Sequence, residues 1–506
     1  MVKSATIAVY SQMDSSSGVV RTFQKGDSLF VNLEIAGATG DWCSVSLAAH
    51  AAPLGYAACG DLEVSMPHFT VSPSLPEPTV LTGTPTGGEA NSPASAGSAN
   101  GEKLQISIGM PSPQAKEAYK KLQSQVVTQD GVNTVKLEAL DAAAQNGSPT
   151  AMDLAALGHI LAGQYHYSQN DNSRAEDQFR AAIALSAKNP KLLELDLLDL
   201  AAVHLRLSEY SDALRSLDRV RQIAPRSAVA ATLAGWADYG LDRVDKAIQE
   251  WQLSQQIAPN PGVAALLAKA ERDQKVERGF HEGETTHFIL HYEGGAMPEL
   301  AQAVMGALDE DFQTIEDTLG YTPPEPIAVI LYTNRQFFDV TRAPSWADGI
   351  NDGRIRVPVQ GESRMTPQLE MVLKHELTHS FITQMTQGRA PTWLQEGLAQ
   401  WMEGLRTGGE AQILVRLYDA KKIPPLADLE GPWSGFNAVQ ATVAYGWALA
   451  TVEAIVANDQ IWGLRQLLQD LTQDSSTAAA VRDSLQLTYP ALDQLTAQYL
   501  KKAYLQ

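Results

Sequence analysis

Two histidines four residues apart, His375 and His379, occur in the stretch LKHELTHSFI, with Glu376 directly after the first. Apolar residues recur every four positions around them, which predicts one helix over residues 367–387, ended by Gly388. Residues four apart share a helix face, with about 5–6 Å between their Cβ atoms. Both imidazoles can therefore bind one Zn²⁺, while Glu376, turned around the helix, reaches a metal-bound water. The alternative at this point is a chance match on a solvent-facing helix.

A further carboxylate follows soon after this helix. In RAPTWLQEGLAQWMEG, Thr392 with Gln395 three residues later predicts a capping box and a helix from about Trp393. Glu396 then lies in the first turns and can swing toward the histidines. Two imidazoles, one carboxylate and an open position for water make a catalytic zinc site, whereas four protein ligands close a structural one. Glu403, two turns later, is either a partner for a ligand histidine's ring N–H or an exposed charge.

These residues must be positioned by a C-terminal domain over residues 276–506. Strands are predicted at 286–292, 327–333 and 353–359, with a helix at about 298–318, and the pattern is helical almost to the end after that. A small mixed sheet followed by helices is an α+β domain.

The pair HELTH and WLQEGLAQWMEG resembles the gluzincin metallopeptidases, and with THFILHYEGG on an early strand the domain resembles peptidase-MA-like proteins, often fused to tetratricopeptide repeats. The resemblance covers about residues 284–500. It implies a zincin-like fold, His375, His379 and Glu396 as zinc ligands, and Glu376 as general base. It also implies an oxyanion-stabilising tyrosine from a later helix, for which ATVAYGWALATVEAIV offers Tyr445; a core tyrosine is the alternative.

The segment GGAMPE is similar to the Gly-Ala-Met-Glu-Asn motif of aminopeptidases. It lies about 75 residues before His375, however, and Pro298 replaces the glutamate that grips the substrate amine in that motif. The strand in the equivalent place, GRIRVPV, has no acid. We therefore expect no dedicated amine-binding group, which favours an endopeptidase over an aminopeptidase.

Residues 114–275 are predicted to be helical and repetitive. Three segments end alike, in IALSAKNP, VRQIAPRS and SQQIAPNP, and Pro225 and Pro259 lie 34 residues apart. The recurring small residues are Gly163, Ala201 and Gly235, then Ala175, Ala213 and Ala247, and the larger Phe179, Leu217 and Trp251 follow the second set. The pattern resembles tetratricopeptide repeats, helical hairpins of about 34 residues that stack into an all-α solenoid. This implies a concave face for a protein partner; a rigid spacer is the alternative.

Residues 1–66 are predicted to form a small all-β barrel, because short β-branched and apolar runs alternate with Gly, Ser and Asp turn signals. The series GVVRTFQKGDSLFV, GDWCSV and GYAACGDLE resembles bacterial SH3-like domains. That resemblance implies a peptide or cell-wall ligand, and a structural spacer is the alternative.

The two cysteines of the chain, Cys43 and Cys59, both lie in this segment. A hairpin folded about Ala51 would place them directly opposite one another. Directly opposed residues of an antiparallel pair have Cα atoms about 4.5–5.5 Å apart, within disulfide range. The sequence thus predicts a Cys43–Cys59 disulfide, which favours an oxidising compartment. The alternative is two unpaired buried thiols in a cytosolic protein.

Residues 67–113 are rich in Pro, Gly, Ser, Thr and Ala and have few large apolar side chains. Such a segment cannot bury enough surface to offset the entropy of ordering it, so a disordered linker is predicted. Linkers of this kind are common in envelope and secreted proteins.

Bulk properties narrow the class of protein. A length of 506 residues suggests about three domains, and a net charge of −20 offers no basic field to nucleic acid or an acidic membrane. No apolar run approaches the roughly 18 residues of a membrane span, and no signal peptide is visible in MVKSATIAVYSQ. The predicted disulfide and linker favour a periplasmic, cell-envelope or secreted location over the cytoplasm.

The sequence therefore predicts a multidomain zinc-dependent peptidase, with one Zn²⁺ per chain, peptide or protein as substrate, and repeat and SH3-like modules for targeting. Retention of all three ligands and the base favours an enzyme. The alternatives are a catalytically silent zinc-binding scaffold that acts through its repeats, and an assembly factor that cleaves little.

Overall fold

The computed structural model describes residues 6–11, 15, 17–25, 27, 30–37, 40–46, 54–58, 61–62, 69–71, 79–82, 105–108, 112–129, 131–293, 298–341, 347–359, 363–433, 436, 438–473 and 476–505. The protein is mostly helical, with small β-sheets. Most of the GGAMPE segment, residues 294–297, lies outside the described residues.

The N-terminal sheet has five antiparallel strands in the order β2-β1-β5-β4-β3. The strands are β1 (Thr6–Tyr10), β2 (Val19–Gln24), β3 (Phe30–Gly37), β4 (Gly40–Ser46) and β5 (Gly55–Ala58). Its core contains Ile7, Val9, Phe23, Val45, Ala57 and Leu62. Burial alternates along β1 and β5, as in strands with one face on a core.

The predicted cysteine register is wrong. β4 and β5 pair as a hairpin, but Cys43 lies opposite Ala57 and Trp42 opposite Ala58. The strands thus pair two residues away from the register that a fold about Ala51 requires. Cys59 lies outside the described residues, so the disulfide itself stays a prediction.

The linker prediction for residues 67–113 requires a segment without secondary structure. The structure instead has three short strands there. They are β6 (Phe69–Val71), β7 (Thr79–Thr82) and β8 (Gln105–Ile108). β7 and β8 pair with each other, and β6 joins the edge of the C-terminal sheet. An edge strand offers unpaired backbone groups to any extended segment, so three residues suffice without an apolar pattern of their own.

Residues 112–277 form a tetratricopeptide-like stack of antiparallel helices, with one short hairpin, β9 (Val127–Thr128) and β10 (Gly131–Val132). The helices are α1 (Pro113–Val126), α2 (Thr134–Ala144), α3 (Pro149–Ser168), α4 (Asn172–Leu185), α5 (Pro190–Arg206), α6 (Tyr210–Ile223), α7 (Ala228–Gly240), α8 (Val244–Ile257) and α9 (Pro261–Glu277).

Small and large residues pack against each other within these hairpins. A Cβ on Gly163 would lie 2.6 Å from the ring of Phe179, and one on Gly235 would lie 2.5 Å from that of Trp251. Ala213 and Leu217 are fully buried. The recurring small residues therefore let paired helices approach, as the repeat pattern predicts.

The C-terminal domain is built on a six-stranded mixed sheet in the order β11-β12-β13-β15-β14-β6. Its strands are β11 (Phe280–Glu284), β12 (Phe288–Glu293), β13 (Ile327–Tyr332), β14 (Ala347–Asn351) and β15 (Ile355–Pro358), together with β6. The helices are α10 (Pro298–Leu319), α11 (Asn334–Thr341), α12 (Pro367–Thr386), α13 (Thr392–Met402), α14 (Ala411–Asp419), α15 (Ala438–Gln473), α16 (Thr477–Leu485) and α17 (Tyr489–Tyr504). One large core joins the sheet to α10, α12, α13 and the C-terminal helices.

Within the described part of the chain, one helix is long and apolar enough to cross a membrane by length and composition, Val439–Gln473 in α15. Two thirds of its most apolar window (67%) is buried inside the protein, as in the core helix of a soluble domain. The backbone at Gln460, with φ 58° and ψ −170°, also divides it into two helices. Length and composition alone are therefore weak evidence for a span.

Candidate metal centre

His375 and His379 lie in the middle of α12, and the sequence contains clear signals for both ends of this helix. The side chain of Thr366 accepts a hydrogen bond from the backbone N–H of Leu369, and Pro367 fills the first turn. The apolar stripe packs into the core, with Leu373, Leu377 and Phe381 fully buried. The helix ends at Gln387, whose φ of 54° is left-handed, directly before Gly388.

The helix α13 carries Glu396 to the histidines, although its N-terminus is not the predicted capping box. Thr392 is the first helical residue rather than the cap, and no side chain caps α13. The Gln395 side chain turns to α12 instead, where its Oε1 lies 3.2 Å from His379 Nδ1 and its Nε2 donates to Thr383 Oγ1 at 3.4 Å. The contact with His379 replaces the backbone contact that a capping box would use.

The ligand atoms of His375, His379 and Glu396 lie within 4.8 Å of one another, and all three residues are buried. Glu396 Oε2 is 3.4 Å from His375 Nε2 and 3.7 Å from His379 Nε2. Charge-assisted hydrogen bonds are shorter, about 2.7–2.9 Å. Atoms bound at about 2.0–2.1 Å in a tetrahedron around one Zn²⁺ would lie roughly 3.3–3.4 Å apart. The spacing thus fits a shared cation better than direct bonding among the side chains.

The second ring nitrogen of each histidine has a partner that fixes the ring. Glu403 contacts His375 Nδ1, and Gln395 Oε1 faces His379 Nδ1. With a proton on each Nδ1, both Nε2 lone pairs are available toward Glu396, which is how protein-bound metals are usually supported. Glu403 therefore occupies the place that the sequence predicted for a supporting carboxylate.

Neighbouring charges shift the pKa values of His375 and Glu396 in opposite directions. Burial would lower the pKa of His375, but Glu403 and Glu396 raise it well above its usual range. Burial would raise the pKa of Glu396, but the two histidines outweigh it and bring that pKa to about 2. Among the described residues, His379 Nε2 and Glu396 Oε2 are buried without a hydrogen-bond partner. These orphaned atoms and the His-His-Glu donor set fit Zn²⁺.

Glu376 is fully buried beside this triad but is not one of the three grouped ligands. Neither of its carboxylate oxygens has a hydrogen-bond partner within the described part of the chain. Burial raises the pKa of Glu376 to about 8, opposed by His375 and reinforced by Glu396 and Glu403. The side chain lies against Gly349 of β14, where an added Cβ would be 2.8 Å from Glu376 Oε1.

Tyr445, on α15, reaches the same site. Its hydroxyl hydrogen-bonds to the Glu396 carboxylate, and burial together with Glu396 raises its pKa well above the usual range. Its ring packs edge-on against Trp433 at 5.0 Å between centroids. Gln400 donates to the backbone oxygens of both Tyr445 and Glu396, each at 3.1 Å, which ties α15 to α13.

The structure thus brings together His375, His379, Glu396, Glu376, Glu403 and Tyr445. Sequence reasoning missed Gly349 and Asn351 on β14, and the contact of Gln395 with His379. Asn351 donates to the backbone oxygen of Glu376 at 2.7 Å and to Ser380 Oγ at 2.6 Å. A signal existed only for Gln395, which precedes Glu396 directly.

Comparisons with known proteins identify no family. No family model matches the sequence, and no curated protein matches it. Solved structures that are similar to part of the chain include two of MamA. "MamA RS-1 ArsTM double mutant" is 20% identical, over 32% of this chain and 86% of that one, with a TM-score of 0.25. "MamA 41-end from Desulfovibrio magneticus RS-1" is 21% identical, over 32% and 87%, also at 0.25. Nothing about function follows from a likeness at this level.

Proposed function

We propose that this chain is a zinc-dependent peptidase, acting as an endopeptidase, with one Zn²⁺ held by His375, His379 and Glu396. The observation that carries the proposal is the convergence of the ligand atoms of these three buried residues within 4.8 Å. A further buried carboxyl group, that of Glu376, lies beside them and is free to act as a base. Three protein ligands leave a position open for water, which distinguishes a catalytic zinc site from a structural one.

The roles of the side chains follow from their places. Zinc, when bound, supplies polarisation of a water molecule and of the peptide carbonyl. Glu376 accepts a proton from the attacking water and delivers it to the leaving amine. The Tyr445 hydroxyl donates a hydrogen bond to the oxyanion of the tetrahedral intermediate. Glu403 and Gln395 hold the histidine rings in the tautomer that offers Nε2.

The other domains fit targeting roles in this proposal. The five-stranded N-terminal sheet would be an SH3-like module that binds a peptide or cell-wall ligand. The repeats would hold a protein partner or the substrate on their concave face.

The test is metal analysis together with a protease assay against an unbiased peptide library. We expect about one zinc per wild-type chain and hydrolysis that strong chelators abolish. His379→Ala should lose the metal, because two remaining ligands rarely retain zinc. His281→Ala, an exposed histidine of the same domain, should keep it.

Two outcomes would contradict this proposal. A wild-type protein that refuses added zinc would remove its basis. A protein that holds zinc but hydrolyses nothing in the library would favour a catalytically silent scaffold or assembly factor.

A further inference from the structure

A buried network of charges joins the helical repeats to the C-terminal sheet, away from the metal ligands. We call it the interdomain network. From the repeats it contains Tyr239, Asp242, Lys269, Asp273 and Glu277, and from the C-terminal domain His291, Tyr332, Asp352, Arg354 and Arg356.

Two arginines form its centre, and each side chain is only 1% exposed. Arg354 binds Glu277 through two parallel hydrogen bonds, of 3.1 and 2.8 Å. Arg356 donates to both oxygens of Asp273, at 3.2 and 2.9 Å, and through Nε to Asp352 at 3.1 Å. Since Asp273 and Glu277 belong to α9, these pairs fix the last repeat helix against β15 and the residue directly before it.

Lys269 extends this contact toward the edge of the sheet. From α9, its Nζ lies 2.8 Å from Asp352 Oδ2, and it also contacts the hydroxyl of Tyr239. Asp352 thus forms ion pairs with a cation from each domain. Lys269 comes from the repeats and Arg356 from the sheet. Because the Asp352 side chain is only 7% exposed, loss of either cation leaves its charge poorly compensated.

The residue before Asp352 touches the catalytic helix. Asn351, the last residue of β14, donates through one amide nitrogen to the Glu376 backbone oxygen and to Ser380 Oγ. Its own side-chain oxygen accepts from Gly353 N at 3.1 Å, which closes the turn that carries Asp352. Two residues earlier, Gly349 lies against the Glu376 side chain. A short stretch, 349–352, therefore contacts Glu376 at one end and Lys269 at the other.

We propose that the helical repeats take part in positioning Glu376, through Lys269 and Asp352 to Asn351. In this arrangement α9 holds the turn after β14, and Asn351 sets where α12 presents its glutamate. Lys269 and Asn351 are positioning residues, since neither is a metal ligand or a proton acceptor. The inference rests on the proposed peptidase function for its meaning in catalysis. It gives the last repeat helix a role that a rigid spacer would not have.

The experiment compares Lys269→Met with Lys275→Met in the full-length protein. Both remove a lysine from α9, but Lys275 is exposed to solvent and outside the network. We expect Lys269→Met to lower kcat by about ten-fold, because misplacement of a catalytic group by ~1 Å can cost about 10²-fold. KM should change by less than about two-fold and zinc content not at all, since the metal ligands are untouched. Lys275→Met should match the wild type.

A double-mutant cycle tests the route. Asn351→Ala alone should lower kcat by about 10²-fold, and Lys269→Met added to it should cost little more, because both act through the same contact. Lys269→Gln is the milder variant if Lys269→Met melts below the assay temperature. If the two substitutions instead act independently, their fold-losses in kcat should multiply in the double variant.

Hydrogen exchange of the α12 amides over residues 376–380 gives a readout without turnover. Both Lys269→Met and Asn351→Ala should speed this exchange, and Lys275→Met should not. If the wild type hydrolyses peptides but Lys269→Met keeps its kcat, or the losses multiply, the inference is overturned and the peptidase proposal stands. If the wild type hydrolyses nothing, faster exchange supports the contact route while the peptidase proposal fails. Unchanged exchange refutes the route in either case.

Discussion

The candidate metal centre and the interdomain network both bury acids almost completely, yet one acid of each, Glu376 and Asp273, differs sharply in its hydrogen-bond partners. Asp273, in the network, accepts hydrogen bonds from Arg356 and from the Tyr239 hydroxyl, and these partners with Lys269 hold its pKa below the usual range despite burial. Glu376 accepts none from the described residues, and burial raises its pKa to about 8. The partners of Asp273 stabilise its anion, whereas burial of Glu376 disfavours its anion.

The difference separates an acid held in place by structural partners from an acid that is a candidate for the proposed chemistry. Burying a charge is tolerated when cations and hydrogen bonds surround it, as they surround Asp273. Leaving a buried carboxylate without partners costs stability, and a buried acid with a raised pKa beside a cluster of potential ligands is a candidate for a functional site. Burial and charge density alone do not distinguish Asp273 from Glu376. The hydrogen-bond partners of their carboxylate oxygens do.

The largest expected effect is that of Glu376→Gln. Glutamine keeps the size and polarity of the side chain but cannot accept a proton, so turnover should fall by about 10²–10⁴-fold. Zinc content should not change, and the melting temperature should hold or rise because a buried unpartnered acid is lost. The measurements are hydrolysis of a library-derived peptide, metal content and thermal melting. Glu370→Gln, exposed in the first turn of the same helix, is the control.

Wild-type rates in Glu376→Gln would assign the hydrolysis to another site or a contaminant. A large loss of stability would mean that Glu376 belongs with Asp273 as a structural acid, and the comparison would break.

In the network, Arg356→Met should destabilise the fold. It removes the Arg356 cation from Asp273 and Asp352 and leaves Lys269 near both, and breaking a buried pair costs about 3–5 kcal/mol. Denaturant unfolding of the metal-free protein measures it. Arg335→Met, at a side chain 92% exposed, should change stability by less than about 0.5 kcal/mol. Equal effects of the two substitutions would show that the network contributes no more than surface charges.

The same contrast predicts a pH dependence. The pKa of Asp273 is lowered in the folded protein, because Arg356, Lys269 and Arg354 outweigh its burial. Its stabilisation is therefore present above its unfolded pKa of about 3.9 and is lost as pH falls through the folded value. The wild type should exceed Asp273→Asn in free energy of unfolding at about pH 5–7, by on the order of 1–3 kcal/mol, and the gap should close in acid. Unfolding of both proteins in chelator, from about pH 7 to pH 2, measures the gap, and parallel curves would refute the assignment.

The sequence predicts a region well when residues that are close together in the chain determine its structure. The histidine pair, Glu376 and Glu396 lie on two successive helices whose apolar spacing and ends are visible in the chain, so the site is largely readable. The predicted capping box failed because the side chain of Gln395 contacts His379, a tertiary partner. The cysteine register failed because nothing local fixed where the hairpin turns.

The interdomain network could not be read in the same way. Arg354 and Arg356 alternate with Ile355 and Val357, as polar residues do on a strand with one solvent face. The packing of α9 and other distant elements against that face buries them. Likewise β14, with the sequence ADGIN, has no strand periodicity; it forms a tight hairpin with β15 and also pairs with β6, which is distant in the sequence. Non-local contacts of this kind leave no mark in a single sequence.

The smallest expected effect tests how closely Glu376 is packed. A Cβ on Gly349 would lie 2.8 Å from Glu376 Oε1 and 3.1 Å from Val372 Cγ1, so Gly349→Ala must displace the glutamate. Overpacking of this kind costs about 1–3 kcal/mol, and turnover should fall as well. Gly283→Ala, on β11, is the control, because its Cβ would meet only Met305 Cε at 3.9 Å. In a Glu376→Ala background the loss from Gly349→Ala should shrink, since the atom that clashes is gone. Denaturant unfolding of the wild type, the two single variants and the double variant measures this loss of stability. An unchanged loss would place the strain on Val372 and show that β14 does not constrain the proposed base.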